Sequence, residues 1–125
     1  MVFASINNLS IENKICDVEI ANTAAKLTKG LMFRKNGRML LSFHFPARHG
    51  IWMFCMKFPL DLIFIDKNNR ITNIVENAKP MTLNPKTWKV YYPNKRCKHV
   101  FEVESGFVKK LNYKLGDIVE ITREI

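Results

Sequence analysis

The sequence predicts a mainly β fold: a single domain spanning residues 1–125, built as an antiparallel β-sandwich or barrel with two short helices. Short segments alternate polar and apolar residues, which is the period of a half-buried strand. Turn residues recur between these segments, and the repeated crossover helices of a βαβ fold are missing. With 125 residues, of which 47% are hydrophobic and 25% charged, the chain can bury a core of its own.

A short helix is predicted near the start of the chain. Asp17–Ala21 alternates polar and apolar residues and is expected to be the strand that precedes it. Asn22 or Thr23 carries a side chain that can cap a helix N-terminus, and Gly30 is the kind of residue that ends a helix. The helix is therefore expected at Ala24–Lys29.

The most apolar stretch, Gly50–Asp66, is expected to supply two central strands. Pro59 has no amide hydrogen to donate to a strand ladder, so it separates Ile51–Met56 from Leu60–Ile65. The other strands, each bounded by turn residues, are expected at Arg38–Phe45, Ile71–Val75, Cys97–Val103 and Ile118–Ile121. A second helix is expected at Phe107–Leu111, where Ser105 can cap it. Ala78–Lys95 is expected to be a long loop with a short strand at Trp88–Tyr91.

Positive charge is concentrated in two stretches. The chain carries 20 basic and 11 acidic residues, a net charge of +9, and no Asp or Glu occurs in Ile20–Leu60 or Asn77–Phe101. If these two acid-free stretches meet in space, they form a positive face that attracts anions such as nucleic acid, phosphate metabolites or acidic lipid head groups. The alternative is an ordinary lysine-rich, solvated surface.

The compartment expected from the sequence is the cytoplasm. Three cysteines, an odd number with no C-x-x-C pair, argue against a disulfide framework and suit a reducing environment. Met1–Ile11 lacks the basic region and apolar core of a signal peptide. No apolar run reaches the roughly 20 residues that a transmembrane helix needs, so we expect a soluble protein with no transmembrane segment.

Several motifs follow one another in a recognisable order: Gly30–Arg34, Met39–Leu41, Trp52-Met53, Met56–Asp66, Ile74–Ala78, Glu102, Gly106 and Gly116-Asp117. In this order and spacing they resemble the family called domain of unknown function 192, also catalogued as uncharacterised protein family 0127. The resemblance covers residues 17–121. It implies a compact, jelly-roll-like β domain with a short helix after the first strand, and it implies no particular reaction.

Asp61 is the most informative polar residue, because it lies between Leu60 and Leu62 in a predicted central strand. A buried carboxylate without a partner is strongly unfavourable. Its partner is therefore expected to be Lys57, Arg34, backbone amides or water, unless it stays protonated. Two interpretations follow: the carboxylate ties down a neighbouring turn or loop, or it faces a ligand, for recognition or as a general base.

Other side chains complete a candidate ligand-binding set. Trp52 can stack on a flat ligand or a cation, or can instead fill the core. Arg34 can hold a carboxylate or phosphate through two parallel hydrogen bonds, or can form a salt bridge to Asp61 or Glu102. The candidate set is Arg34, Trp52, Lys57, Asp61 and Glu102.

No metal or cofactor is expected. His44, His49 and His99 show none of the spacings of metal-ligand motifs, and the five glycines form no phosphate-binding loop. Cys97 and His99, two positions apart in a strand, share a face, but the sequence identifies no catalytic residue.

The function expected first is a binding module for a small polar or anionic ligand. The alternative is nucleic-acid binding through the basic surface, where the segment Trp88–Arg96 interleaves aromatic and basic residues. A third interpretation is a small hydrolase-like enzyme using Asp61 with His99 or a cysteine, so enzymatic activity is undecided at this point. The sequence does not determine the oligomeric state.

Overall fold

The structure, a computed structural model, describes residues 6–11 and 14–124. It contains ten strands, two α-helices and one turn of 3₁₀ helix at Pro85–Thr87. The strands are β1 (Ile6–Ile11), β2 (Lys14–Asp17), β3 (Glu19–Ala21), β4 (Met39–Ala47), β5 (Ile51–Trp52), β6 (Leu60–Ile65), β7 (Ile71–Ala78), β8 (Val90–Tyr91), β9 (Cys97–Glu104) and β10 (Val119–Glu124); the helices are α1 (Ala24–Lys29) and α2 (Phe107–Leu111).

A five-stranded central sheet organises the molecule, with strand order β3-β4-β9-β6-β7. A three-stranded sheet, β10-β1-β2, and the short pair β5-β8 accompany it. Among the described strands each sheet has two edges, so none closes into a barrel. The mainly β class with two short helices is confirmed, with the difference that β3 pairs with β4 in parallel while the other pairs are antiparallel.

Each face of the central sheet covers its own apolar core, because successive side chains of a strand point to opposite faces. On one face Ile63 and Phe101 pack against Phe107 and Val108 of α2, and we call this the α2 face. On the opposite face, which we call the α1 face, the strand residues are covered by α1 and the segment around β5. The α1 face is built from Leu41, Leu62, Phe64 and Val100, with Leu27, Ile51, Met53 and Met56 packed on it.

The helix predictions are confirmed, with one change in capping. The Thr23 hydroxyl accepts a hydrogen bond from the Lys26 amide at 3.3 Å, and α1 ends at Gly30, whose φ is +50°. Helix α2 has the predicted limits, but its N-cap is Gly106, which makes no side-chain capping bond. The Ser105 hydroxyl is instead bonded to the Asn77 side chain at 3.0 Å.

The prediction of one strand at Ile51–Met56 was wrong. Only Ile51–Trp52 is a strand, and the chain then turns, with the Met56 amide donating to the Met53 carbonyl at 3.3 Å and Cys55 at a φ of +57°. An apolar run indicates burial but not conformation. The turn buries Met53 and Met56 on the same core, which a strand with alternating faces could not do for residues three apart.

The N-terminal strands β1 and β2 were not predicted. Strand β1, Ile-Asn-Asn-Leu-Ser-Ile, has no clean alternation, and its backbone is held by antiparallel pairing with β10 and β2. Residues 1–5, part of the stretch considered for a signal peptide, lie outside the described residues. No helix in the described part of the chain is both long and apolar enough to cross a membrane.

Candidate functional site

Asp61 is fully buried and its carboxylate accepts three backbone hydrogen bonds. Its Oδ1 accepts from the amide of Asn77 at 2.9 Å. Its Oδ2 accepts from the amides of Gly106 and Val108, both at 3.0 Å. The Asp61 carboxylate therefore caps the N-terminus of α2 and fixes the end of β7, which is the contact expected if this residue ties down a loop.

The basic candidates lie elsewhere. The Arg34 guanidinium pairs with Glu19 at the surface, so neither Asp61 nor Glu102 is its ion-pair partner. Lys57 is exposed. Neither basic residue is among the side chains that line the two cavities described below.

Glu102 lies at the middle of β9, the central strand of the sheet. It pairs with Met39 of β4 on one side and Leu62 of β6 on the other, and its side chain points to the α1 face. Only 5% of the residue is exposed. The Oε1 atom of its carboxyl group has no hydrogen-bond partner among the described residues.

Burial raises the pKa of Glu102 to about 7. No Lys or Arg side chain of the described chain lies within 4.0 Å of this carboxyl, so no ion pair offsets the loss of hydration. The group is therefore poised to exist as either acid or carboxylate near neutral pH, and either form can hydrogen-bond to a ligand.

A cavity of about 180 Å³ opens beside Glu102 on the α1 face. Apolar side chains, including Leu31, Leu41 and Met56, form much of its lining, and Trp52, which is 48% exposed, lines it as well. The cavity thus combines apolar walls, an aromatic ring and one buried polar group, which is the usual composition of a small-molecule site.

Gly30 allows the Glu102 carboxyl to approach the end of α1. Its φ of +50° lies in the left-handed region, and a Cβ at this position would sit 3.3 Å from Glu102 Oε1. The glycine that begins the Gly30–Arg34 motif therefore has a structural reason: it turns the chain out of α1 and leaves room beside the buried carboxyl.

Asp61 and Glu102 lie on opposite faces of the sheet. In the β6–β9 ladder Asp61 pairs with Val103, which belongs to the α2 face, whereas Leu62 pairs with Glu102 on the α1 face. Of the five candidate residues, Trp52 and Glu102 line one cavity, and Arg34, Lys57 and Asp61 do not. The alternation of Cys97–Val103 already indicated that Glu102 shares a face with buried Val100, which was the available signal for its importance.

The structure does not bring Asp61 and His99 together. His99 pairs with Ile65, four residues along β6 from Asp61, and four strand residues span about 13 Å. Cys97 is buried, and burial raises the pKa of its thiol. No three His, Cys, Asp or Glu side chains in the described part of the chain are placed to share a metal ion.

The two acid-free stretches meet in space. Strand β5 pairs with β8 through Ile51 with Tyr91 and Trp52 with Val90, and the Met81 amide donates to the Met53 carbonyl at 3.2 Å. The sequence made a positive face conditional on this contact; the contact is present, it is made by Ile51, Trp52, Val90 and Tyr91, and the positive face itself stays a prediction.

The described residues form a small, mainly β fold with a cavity that has a buried carboxyl group in its lining. The chain belongs to the DUF192 family, described as "Uncharacterized ACR", whose model matches residues 6–121. It is similar to UPF0127 proteins from Pyrococcus abyssi (34% identity over 82% of this chain and 84% of the relative) and Pyrococcus horikoshii (31% identity, 96% and 97%). A Thermococcus kodakarensis relative is 29% identical over 84% of this chain, and the match spans 64% of that relative's length.

Two solved structures share the fold. A protein of unknown function from Novosphingobium aromaticivorans has a TM-score of 0.81 and 28% identity, covering 90% of this chain and 83% of its own. A Sinorhizobium meliloti protein described as a candidate transcription regulator has a TM-score of 0.80 and 27% identity, covering 96% and 95%. The family expected from the sequence motifs is confirmed.

Proposed function

We propose that the protein is a binding module for a small polar ligand, held in the cavity beside Glu102. The observation that carries this proposal is the buried Oε1 of Glu102, which has no hydrogen-bond partner among the described residues and lies next to an open volume. A buried polar atom without a hydrogen bond is unfavourable, and a ligand that donates one would remove that cost.

The size of the cavity limits the ligand. An apolar cavity of about 150 Å³ holds benzene, so a volume of about 180 Å³ suits a molecule of roughly six to ten non-hydrogen atoms. A larger ligand would have to extend past the Trp52 ring into solvent, which the half-exposed position of that ring permits.

The chemistry of the cavity favours a hydrogen-bond donor over an anion. A carboxylate attracts amines, amides and hydroxyl groups and repels anions, and it is the buried charged group of the cavity; Thr28 and the exposed Lys29, at the C-terminal end of α1, line the same volume. Of the two ligand classes expected from the sequence, polar and anionic, we therefore propose the polar class, with Glu102 and Trp52 as its contacts.

The test is a screen of small amines, amides and alcohols by ligand-observed NMR, followed by titration of Glu102→Gln. Glu76→Gln, an exposed carboxylate on β7, is the matched control. In measurements above pH 7, where the Glu102 carboxyl is ionised, the amide side chain at position 102 should weaken binding about tenfold or more, because it replaces a charged acceptor, and the control should bind like the wild type. Equal affinity of Glu102→Gln and wild type would refute the proposal.

A second candidate function is nucleic-acid binding, favoured by the contact between the acid-free stretches at β5 and β8. Retardation of oligonucleotides at low salt, with affinity that falls steeply as salt rises, would support it. No retardation at low salt would eliminate it. This candidate does not depend on Glu102, so Glu102→Gln separates the two.

A further inference from the structure

An apolar groove lies at the junction of β5 and β8 and shares Trp52 with the Glu102 cavity. Its volume is about 650 Å³, within the range of sites for drug-sized ligands. Trp52, Phe54, Leu83, Trp88 and Val90 line it, and all five are exposed large hydrophobic residues. Such a cluster of exposed apolar side chains is typical of a binding surface.

Hydrogen bonds fix the loop that forms one wall of the groove. The Trp88 indole donates its N–H to the Thr82 carbonyl at 2.9 Å, which fixes the orientation of the ring. The Thr87 hydroxyl accepts from the Thr82 amide at 2.8 Å and donates to the Asn84 carbonyl at 2.7 Å, closing the loop that carries Leu83. Leu83 is 97% exposed at the tip of this bonded loop.

The charges around the groove indicate which kind of ligand it binds. The described residues that line the groove come entirely from the two acid-free stretches, so no Asp or Glu is among them. Lys86 and Lys89 are exposed and flank Trp88 in the chain; they do not line the groove, and the Lys89 ammonium lies over the Tyr91 ring, 4.9 Å from its centroid, so both are candidates for its rim. We propose that the groove is a binding site for an apolar anion: a chain or ring system that packs against Trp88 and Leu83 and carries a carboxylate or similar acidic head beside these lysines.

The probes are decanoate, decyltrimethylammonium and decyl glucoside, which have alkyl chains of nearly the same length and differ in head-group charge, each used below its critical micelle concentration. Binding is followed by tryptophan fluorescence and by protection of Cys55, a free thiol on the groove wall, from alkylation mapped by mass spectrometry. We expect decanoate to bind about tenfold more tightly than the cationic probe and to protect Cys55. Equal affinities, or binding without protection, would overturn the proposal.

Surface variants test the two parts of the site separately. Leu83→Ser should weaken binding of decanoate about tenfold, whereas Leu115→Ser, at an exposed leucine outside the groove, should not. The double variant Lys86→Gln/Lys89→Gln should remove the preference for the anionic head, whereas Lys109→Gln/Lys110→Gln on α2 should retain it. If the matched controls weaken binding equally, the site is not the groove.

Other occupants give distinct results. Two further assays are sedimentation with vesicles containing phosphatidylserine and retardation of an oligonucleotide. If either one depends on Leu83 while decanoate leaves Cys55 unprotected, the groove binds a membrane or nucleic acid, and the proposal is overturned. Glu102→Gln should leave decanoate binding unchanged, so the groove proposal does not depend on the outcome for the Glu102 cavity.

Discussion

Asp61 and Glu102 are the two buried carboxyl groups among the described side chains, and they lie on opposite faces of the central sheet. Asp61 accepts three hydrogen bonds from backbone amides, whereas Oε1 of Glu102 has no partner in the described part of the chain. One sheet therefore carries a carboxylate with backbone hydrogen bonds on one face and, on the other, a carboxyl group that lines a cavity.

Asp61→Asn should destabilise the protein strongly. The substitution keeps the shape of the side chain but loses the negative charge and turns one acceptor oxygen into an NH₂ donor, which leaves amide donors without a partner. We expect the free energy of unfolding to fall by about 3 kcal/mol, measured in urea, with faster hydrogen exchange at the Val108 amide. Glu76→Gln, the exposed control, should stay within about 0.5 kcal/mol of wild type; a similarly small loss for Asp61→Asn would contradict the capping role.

Glu102 should make stability depend on pH. Burial raises the folded-state pKa from 4.5 to about 7, so between these values the folded protein holds a proton that the unfolded chain has released. The stabilisation is fully present below the unfolded pKa and is lost as pH rises towards about 7. Relative to Glu102→Gln, the wild type should therefore lose about 3 kcal/mol across this window.

The measurement is urea unfolding of wild type, Glu102→Gln and Glu76→Gln at several pH values from 4 to 8. The control should follow the pH dependence of the wild type. A constant difference between wild type and Glu102→Gln would show that the pKa of this carboxyl is the same in the folded and unfolded states.

Gly30→Ala should affect both stability and the cavity. The left-handed φ disfavours any side chain by about 1–2 kcal/mol, and the new Cβ would press on Glu102 Oε1 at 3.3 Å. Gly116→Ala is the matched control, because its φ is +90° but no atom lies within 4 Å of the added Cβ. Both variants should lose stability, and only Gly30→Ala should shift the Glu102 titration seen by NMR; identical titrations would contradict the contact.

Arg34→Gln should have little effect. The Arg34–Glu19 pair is at the surface, where ion pairs contribute less than about 1 kcal/mol, and the guanidinium does not line the Glu102 cavity. We expect a small, salt-sensitive loss of stability and unchanged ligand affinity, and the same unchanged affinity for Lys57→Gln. A large loss of ligand affinity in either variant would show that the substituted residue takes part in ligand binding.

Trp52→Ala should weaken ligands at both proposed sites, because the indole lines the Glu102 cavity and the apolar groove. Glu102→Gln should affect only the small polar ligand, and Leu83→Ser only decanoate. Titrating both ligands into the three variants measures this pattern. Loss at a single site in Trp52→Ala would show that the ring serves only one of them.

Local structure was largely readable from the sequence. The limits of α1 follow from Thr23 and Gly30, and those of β6 follow from Pro59 and the Asp66 turn, because capping and turn residues act on their immediate neighbours. The strand that begins at Ile51 was predicted to reach Met56 but ends at Trp52, because an apolar run is compatible with either a strand or a buried turn.

The candidate site was readable only in part. Trp52 and Glu102 were named from the sequence and line one cavity, whereas Asp61 was expected beside Trp52 and is engaged on the other face. Alternation indicates that residues two apart share a face, but not which element covers that face or which donors it brings.

The sequence by itself determined the mainly β class, the family and most element limits, because these depend on periodicity, turn chemistry and motif order along the chain. Only the tertiary structure decided which buried carboxyl is satisfied. That depends on the β6–β9 register and on α2, which brings the amides of Gly106 and Val108, 45 and 47 residues away, to Asp61. No amide in the part of the chain that the structure describes bonds to Glu102 Oε1. Such long-range contacts cannot be predicted from the residues that neighbour Asp61 or Glu102 in the sequence.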